Sequence, residues 1–174
     1  QLGIHQQAIE AGKEIRSLNL YAQGQRRARV KIGEIGKGLS EFSYLLAFEQ
    51  NKNEELLAST LTKEGIQIHW GFELVLLREY SDSIIAIVKS ETGEVSINAK
   101  YLIGCDGANS IVRQQLKFAF EGGTYTHKFF VADTKITWSL PYDQLIVSPG
   151  DKSFCAFLPL YGDNSYRVIG SFPR

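Results

Sequence analysis

Between residues 72 and 103 three apolar segments of strand length follow one another, at 72–80, 83–90 and 94–103. Only Ser81-Asp82 and Glu91-Thr92-Gly93 separate them. This spacing constrains the fold more than any other feature. A parallel crossover needs a dozen or more residues, so connections this short join antiparallel neighbours. The same punctuation returns later. Strand-like runs at 125–138, 143–148, 153–159 and 165–172 are broken by Ser148-Pro149-Gly150-Asp151 and by Tyr161-Gly162-Asp163-Asn164. Both are turn-forming stretches. The chain is therefore expected to be α+β, built on a large and mostly antiparallel sheet.

About three helices are expected beside it. Ile4, Ala8, Ile9, Ala11 and Ile15 recur among charged positions and predict an amphipathic helix over 4–16. Asn51, with Glu54 three residues on, has the pattern of a capping box before Leu56, Leu57 and Leu61. Gly65 then occupies the usual stop position, and Ile66–Trp70 resumes an extended pattern. Asn109 or Ser110 caps a short third helix carrying Ile111, Val112, Arg113 and Leu116. Strict alternation over 27–36 predicts a half-buried strand, and Tyr44–Phe48 another.

Charge excludes one class of partner. Nineteen Lys and Arg balance nineteen Asp and Glu, whereas a phosphate-tracking surface carries a basic excess. A hydrophobic share of 44% and a charged share of 22% belong to a globular chain. No apolar run approaches the length of a membrane span, and no secretory signal opens the sequence. Cys105 and Cys155 make no disulfide framework, which points to a reducing compartment, the cytoplasm. His5, His69 and His127 are scattered without ligand spacing, so no metal site is expected. Met is absent, and both ends read as cut, so a central piece of a longer protein is expected.

The strongest local signal is Gly104-Cys105-Asp106-Gly107-Ala108-Asn109-Ser110, with Arg113 three residues on. A glycine after the acid lets backbone approach a ligand closely. The helix that follows offers N–H groups at its start, and Asp106 adds an acceptor for hydroxyls. A ribose or pyrophosphate suits such a place. An isolated Asp-Gly pair is more often just a turn. Cys105 has no histidine nearby to act as its base, so no catalytic thiol is expected.

The string Tyr101–Arg113 resembles the second fingerprint of the FAD-dependent aromatic hydroxylases, the para-hydroxybenzoate hydroxylase-like group A flavoprotein monooxygenases. Phe48-Glu49-Gln50, followed by Glu54, Leu56 and Leu57, is similar to that family's glutamine-bearing strand end and helix. Phe120-Glu121-Gly122 and Val131-Ala132-Asp133 resemble the segment leading into its substrate-domain sheet. The resemblance implies that residues 1–116 are part of a Rossmann-like FAD-binding domain, lacking the Gly-x-Gly-x-x-Gly unit. Residues 117–174 would then supply strands of the substrate-binding domain. It implies cofactor-binding roles for Asp106 and Gly107 near the ribose and pyrophosphate, for Gln50 on the flavin side, and for the backbone of Leu74 beside the adenine. Arg113 matches a family arginine that serves either as a ligand or as support through a salt bridge. No catalytic protein nucleophile is expected.

The activity implied for the parent protein is hydroxylation of an aromatic or other planar apolar small molecule, using FAD, NAD(P)H and O₂. The isolated piece is expected to be inactive. Two alternatives stand beside it. One is a flavin-dependent epoxidase or reductase of the same superfamily, separable by product analysis. The other is a non-enzymatic β-rich binding module, which a flavin absorbance band would exclude.

Overall fold

The computed structural model describes residues 3–172. In chain order the elements are α1 (His5–Ala11), β1 (Lys13–Ile15), β2 (Ser17–Ala22), β3 (Gln25–Lys31), α2 (Ile32–Ile35), β4 (Leu45–Ala47) and α3 (Gln50–Lys63). There follow β5 (Glu73–Glu79), β6 (Ile84–Ser90), β7 (Gly93–Ala99), α4 (Ile111–Gln115), β8 (Phe129–Lys135), β9 (Gln144–Pro149), β10 (Phe154–Pro159) and β11 (Ser165–Ser171). They form two compact units. The first takes the residues up to Gly65 and those from Tyr125 onward; the second is Ile66–Thr124.

The first unit is built on a six-stranded sheet in the order β3-β2-β9-β10-β11-β8. Every neighbouring pair is antiparallel except β2 with β9, which run parallel. The α+β, mostly antiparallel expectation therefore holds. Strands on both sides of the expected boundary at residue 116 share this sheet, with β2 and β3 before it and β8 to β11 after it. Hairpins form where the turn residues predicted them, between β9 and β10 and between β10 and β11. A third hairpin, β2–β3, turns through Gln23 (φ 53°) and Gly24 (φ 72°). Two positive values in succession give the turn hand that matches strand twist.

Some local expectations are corrected. The helix predicted over 4–16 stops at Ala11, because Gly12 sits tight against β4: a Cβ there would lie 2.7 Å from Leu46 Cδ1. The chain then continues as β1, which pairs with β4 and buries Ile15 completely. The half-buried strand predicted over 27–36 is instead the outermost strand β3, exposed throughout and ending at Lys31. Its Arg26, Arg27, Arg29 and Lys31 charge that edge and oppose edge-to-edge pairing. Helix α3 starts at Gln50, one residue before the predicted Asn51 cap, with no side-chain cap. Glu54 accepts a hydrogen bond from Gln50 Nε2 at 2.9 Å instead. Gly65, at φ +76°, terminates the helix as predicted.

Aromatic packing organises the middle of the six-stranded sheet. Trp138 lies edge-on to Phe157 and Tyr166, with ring centroids 5.1 and 5.0 Å away. Its Nε1 donates to the Tyr166 hydroxyl at 2.8 Å, and Tyr166 is 1% exposed. A second cluster joins Ile15, Ala47 and Leu160 with Ile32, Leu145 and Leu158. Between β2 and β9 the interior is polar: Asn19 Nδ2 donates to Gln144 Oε1 at 2.9 Å and to Ser17 Oγ at 3.2 Å.

The second unit is the antiparallel meander β5-β6-β7 with α4. Residues 66–70 join no strand, and Trp70 is 77% exposed in the turn before β5. Strand β7 ends at Ala99, four residues before the predicted end. The apolar run that follows lies in no ladder, and Tyr101 and Ile103 are each 85% exposed.

Candidate functional site

The Asp-Gly string lies wholly within the second unit, in the turn leading into α4. Its conformation follows from three residues. Gly107 adopts φ +76°, the left-handed region that favours glycine. Nothing lies within 4 Å of the position its Cβ would take, so backbone is open to approach there. Gly104 is needed for the opposite reason, since a Cβ would meet the Val112 side chain at 3.0 Å. Ser110 caps α4: its Oγ accepts from the Arg113 N–H at 3.0 Å.

Asp106 binds the same cap. Its Oδ1 accepts from the Ser110 hydroxyl at 2.5 Å, and its Oδ2 from the Val112 N–H at 3.1 Å. These donors hold the Asp106 carboxyl below the usual carboxylate range, the Ser110 hydroxyl contributing most. The carboxylate is therefore ionised at neutral pH. The structure changes one expectation: N–H groups at the start of this helix are not left open for a ligand. Val112 and Arg113 spend theirs on Asp106 and Ser110. What the turn presents outward is Gly107 and an anionic oxygen pair.

Arg113 supports the turn without a carboxylate. Its Nη1 donates to the Ala108 carbonyl at 2.8 Å, and its guanidinium stands 4.3 Å from the centre of the Phe120 ring. Among the described residues no salt bridge involves Arg113. Where support through a salt bridge was one expectation, a hydrogen bond and a cation–π contact stand in place of the ion pair.

Beside the turn a cleft of about 520 Å³ opens on one face of the meander. Ile84, Ala86 and Val88 alternate along β6, Ile97 and Ala99 along β7, and all five line it. Leu74 and Asp106 line it too. The structure thus brings Leu74 and Asp106 to one cavity, with Gly107 and Arg113 in the adjoining turn and helix. Gln50 belongs to the first unit, at the start of α3, where its amide is engaged by Glu54.

One residue in this unit escaped the motif reading. Gln115, at the end of α4, reaches β5: its Oε1 accepts from the Leu77 N–H at 2.6 Å, and its Nε2 donates to the Val75 carbonyl at 2.8 Å. No local pattern flags it, because its partners lie 38 and 40 residues away. Among the described residues no group of three His, Cys, Asp or Glu could hold a metal ion. No helix among them is long and apolar enough to cross a membrane.

A family model described as "FAD binding domain" matches residues 1–173. The chain is 30% identical, over 94% of its length, to the rifampicin monooxygenase of Streptomyces venezuelae, and spans 37% of that protein. It is 24% identical to the 6-methylpretetramide 4-monooxygenase of Streptomyces rimosus, over 82% of this chain and 25% of that one. Among solved structures, the p-nitrophenol 4-monooxygenase PnpA from Pseudomonas putida superposes with a TM-score of 0.87 at 17% identity, covering 98% of this chain and 44% of that one. The flavin-dependent monooxygenase PieE, solved with FAD and substrate, gives 0.85 at 21% identity, over 98% and 33%. These two likenesses are of fold.

Proposed function

The chain belongs to the FAD-binding domain family, and from that premise we propose that it is part of an FAD-dependent monooxygenase. The parent protein hydroxylates an aromatic or other planar apolar small molecule in the cytoplasm, drawing electrons from NAD(P)H. One observation carries this reading. Leu74 and Asp106 line the same cleft, beside an open Gly107 whose backbone a dinucleotide can approach. The names of the matched monooxygenases support it.

The residues present fit the cofactor's adenosine half. The cleft is walled by aliphatic side chains, as an adenine requires. Asp106, ionised and fixed by Ser110, offers acceptors to ribose hydroxyls. Gly107 lets the pyrophosphate pass close to backbone. With FAD bound, Leu74 would lie beside the adenine and Gln50 would face the flavin side, while Arg113 keeps the Asp-Gly turn in shape. When bound, FAD supplies the redox chemistry with O₂, while the protein orients reactants and excludes water. The region up to residue 116 contributes to cofactor binding, and the six-stranded sheet, which β2 and β3 share with the strands after residue 116, contributes to substrate binding.

The test is purification of the full-length protein, flavin spectroscopy, and product analysis after supplying NADH or NADPH with phenolic compounds. A bound flavin and a hydroxylated product are expected, and Asp106→Ala should lose most of the flavin. A colourless protein that neither binds added FAD nor oxidises NAD(P)H would sink the proposal.

A further inference from the structure

Strand β5 is an outer strand of its meander, so among the described residues one row of its N–H and C=O groups has no strand partner. Between Leu74 and Leu76 its register against β6 slips by one residue. Such a bulge bends a strand and loosens its ladder locally. The Gln115 side chain attaches there. Its amide accepts from Leu77 N–H and donates to Val75 C=O, bracketing Leu76. That is the two-bond pattern one residue of a parallel neighbouring strand would make. One side-chain amide stands in for a missing strand at the irregular point of β5.

Both ends of this bridge belong to the candidate site. Gln115 is the last residue of α4, whose first turn is tied to Asp106 through Ser110 and Val112. Val75 directly follows Leu74, which lines the same cleft as Asp106. A rigid helix of five residues therefore joins the Asp-Gly turn to the bulged strand. We propose that Gln115 is a positioning residue for the cofactor site, fixing the distance between the Leu74 backbone and the Asp106-Gly107 turn. This rests on the reading that the cleft takes the adenosine half of FAD.

The experiment measures FAD affinity of the full-length apoprotein for wild type, Gln115→Leu and Gln115→Glu. Gln115→Leu removes both hydrogen bonds and is expected to weaken FAD binding about tenfold. Gln115→Glu carries a further signature. An ionised glutamate still accepts from Leu77 N–H but faces the Val75 carbonyl with no proton. Protonation restores the donor. The Gln115→Glu defect, relative to wild type, should therefore shrink as pH falls from about 8 towards about 5, while that of Gln115→Leu stays level. Urea denaturation of the apoproteins over the same pH series separates positioning from loss of folding, because the affinity defect should persist where the variants remain fully folded. Wild-type affinity in Gln115→Leu, or a level pH series for Gln115→Glu, overturns the clamp. The pH series stands alone if Gln115→Leu does not fold. Failure of wild type to bind FAD overturns the cofactor reading instead.

Discussion

The two units solve the problem of burial differently. In the first, Ile15, Ile146, Leu160 and Tyr166 are withdrawn from water between strands distant in sequence. In the second, Ala86 and Ser110 alone are buried among the described residues, and the apolar face of the meander lines an open cleft. The packed unit is held by side-chain interdigitation. The open one is held by ladders, a cap and the Gln115 bridge. On the proposed cofactor reading, the aliphatic side chains on this face serve as one wall of the ligand site instead of filling a core of the second unit.

The sharpest way to break this contrast is Tyr166→Ala. Removing the ring against which Trp138 and Tyr142 pack should cost about 3–5 kcal/mol, read from urea denaturation. A loss under about 1 kcal/mol would mean the first unit is not organised by this cluster. Next is Gly107→Val. At φ +76° a β-branched residue costs about 1–2 kcal/mol. Flavin retention should fall far more than stability does, because nothing in the chain itself crowds that position. Equal retention with unchanged stability would remove Gly107 from the site.

The smallest effect concerns Asp133, which accepts two hydrogen bonds from Arg167 across β8 and β11, at 2.9 and 3.0 Å. That guanidinium holds the Asp133 carboxyl below its ordinary value. The pair's stabilisation is therefore present above about pH 4 and is lost as pH falls through the lower folded value. Since the carboxylate is half-exposed, Asp133→Asn should cost less than about 1 kcal/mol at neutral pH, and the variants should converge in acid. A gap that widens on acidification would reverse the assignment.

Much of this was legible in the residues. Short connections predicted the meander and the later hairpins, because turn chemistry is local. A cap at Asn109 or Ser110 and a stop at Gly65 were readable for the same reason, and the structure selects Ser110. Strand β2 was not, since Ser17 and Asn19 occupy its buried face, and the Asn19 amide that donates to Ser17 finds its other acceptor in Gln144, over a hundred residues away. Alternation cannot reveal a strand whose inward positions are polar. The Asp-Gly motif was visible, but the commitment of Asp106 to its own helix was not. Gln115 stayed hidden because a side chain that imitates a strand leaves no periodic trace.

The two tryptophans fall one to each unit: Trp138 is packed between aromatic rings, and Trp70 is open to water. The chain thus carries two intrinsic fluorophores of unlike surroundings. A soluble quencher such as acrylamide should quench Trp70 more strongly than the partly buried Trp138. Melting of either unit can be followed by its own emission, without any label.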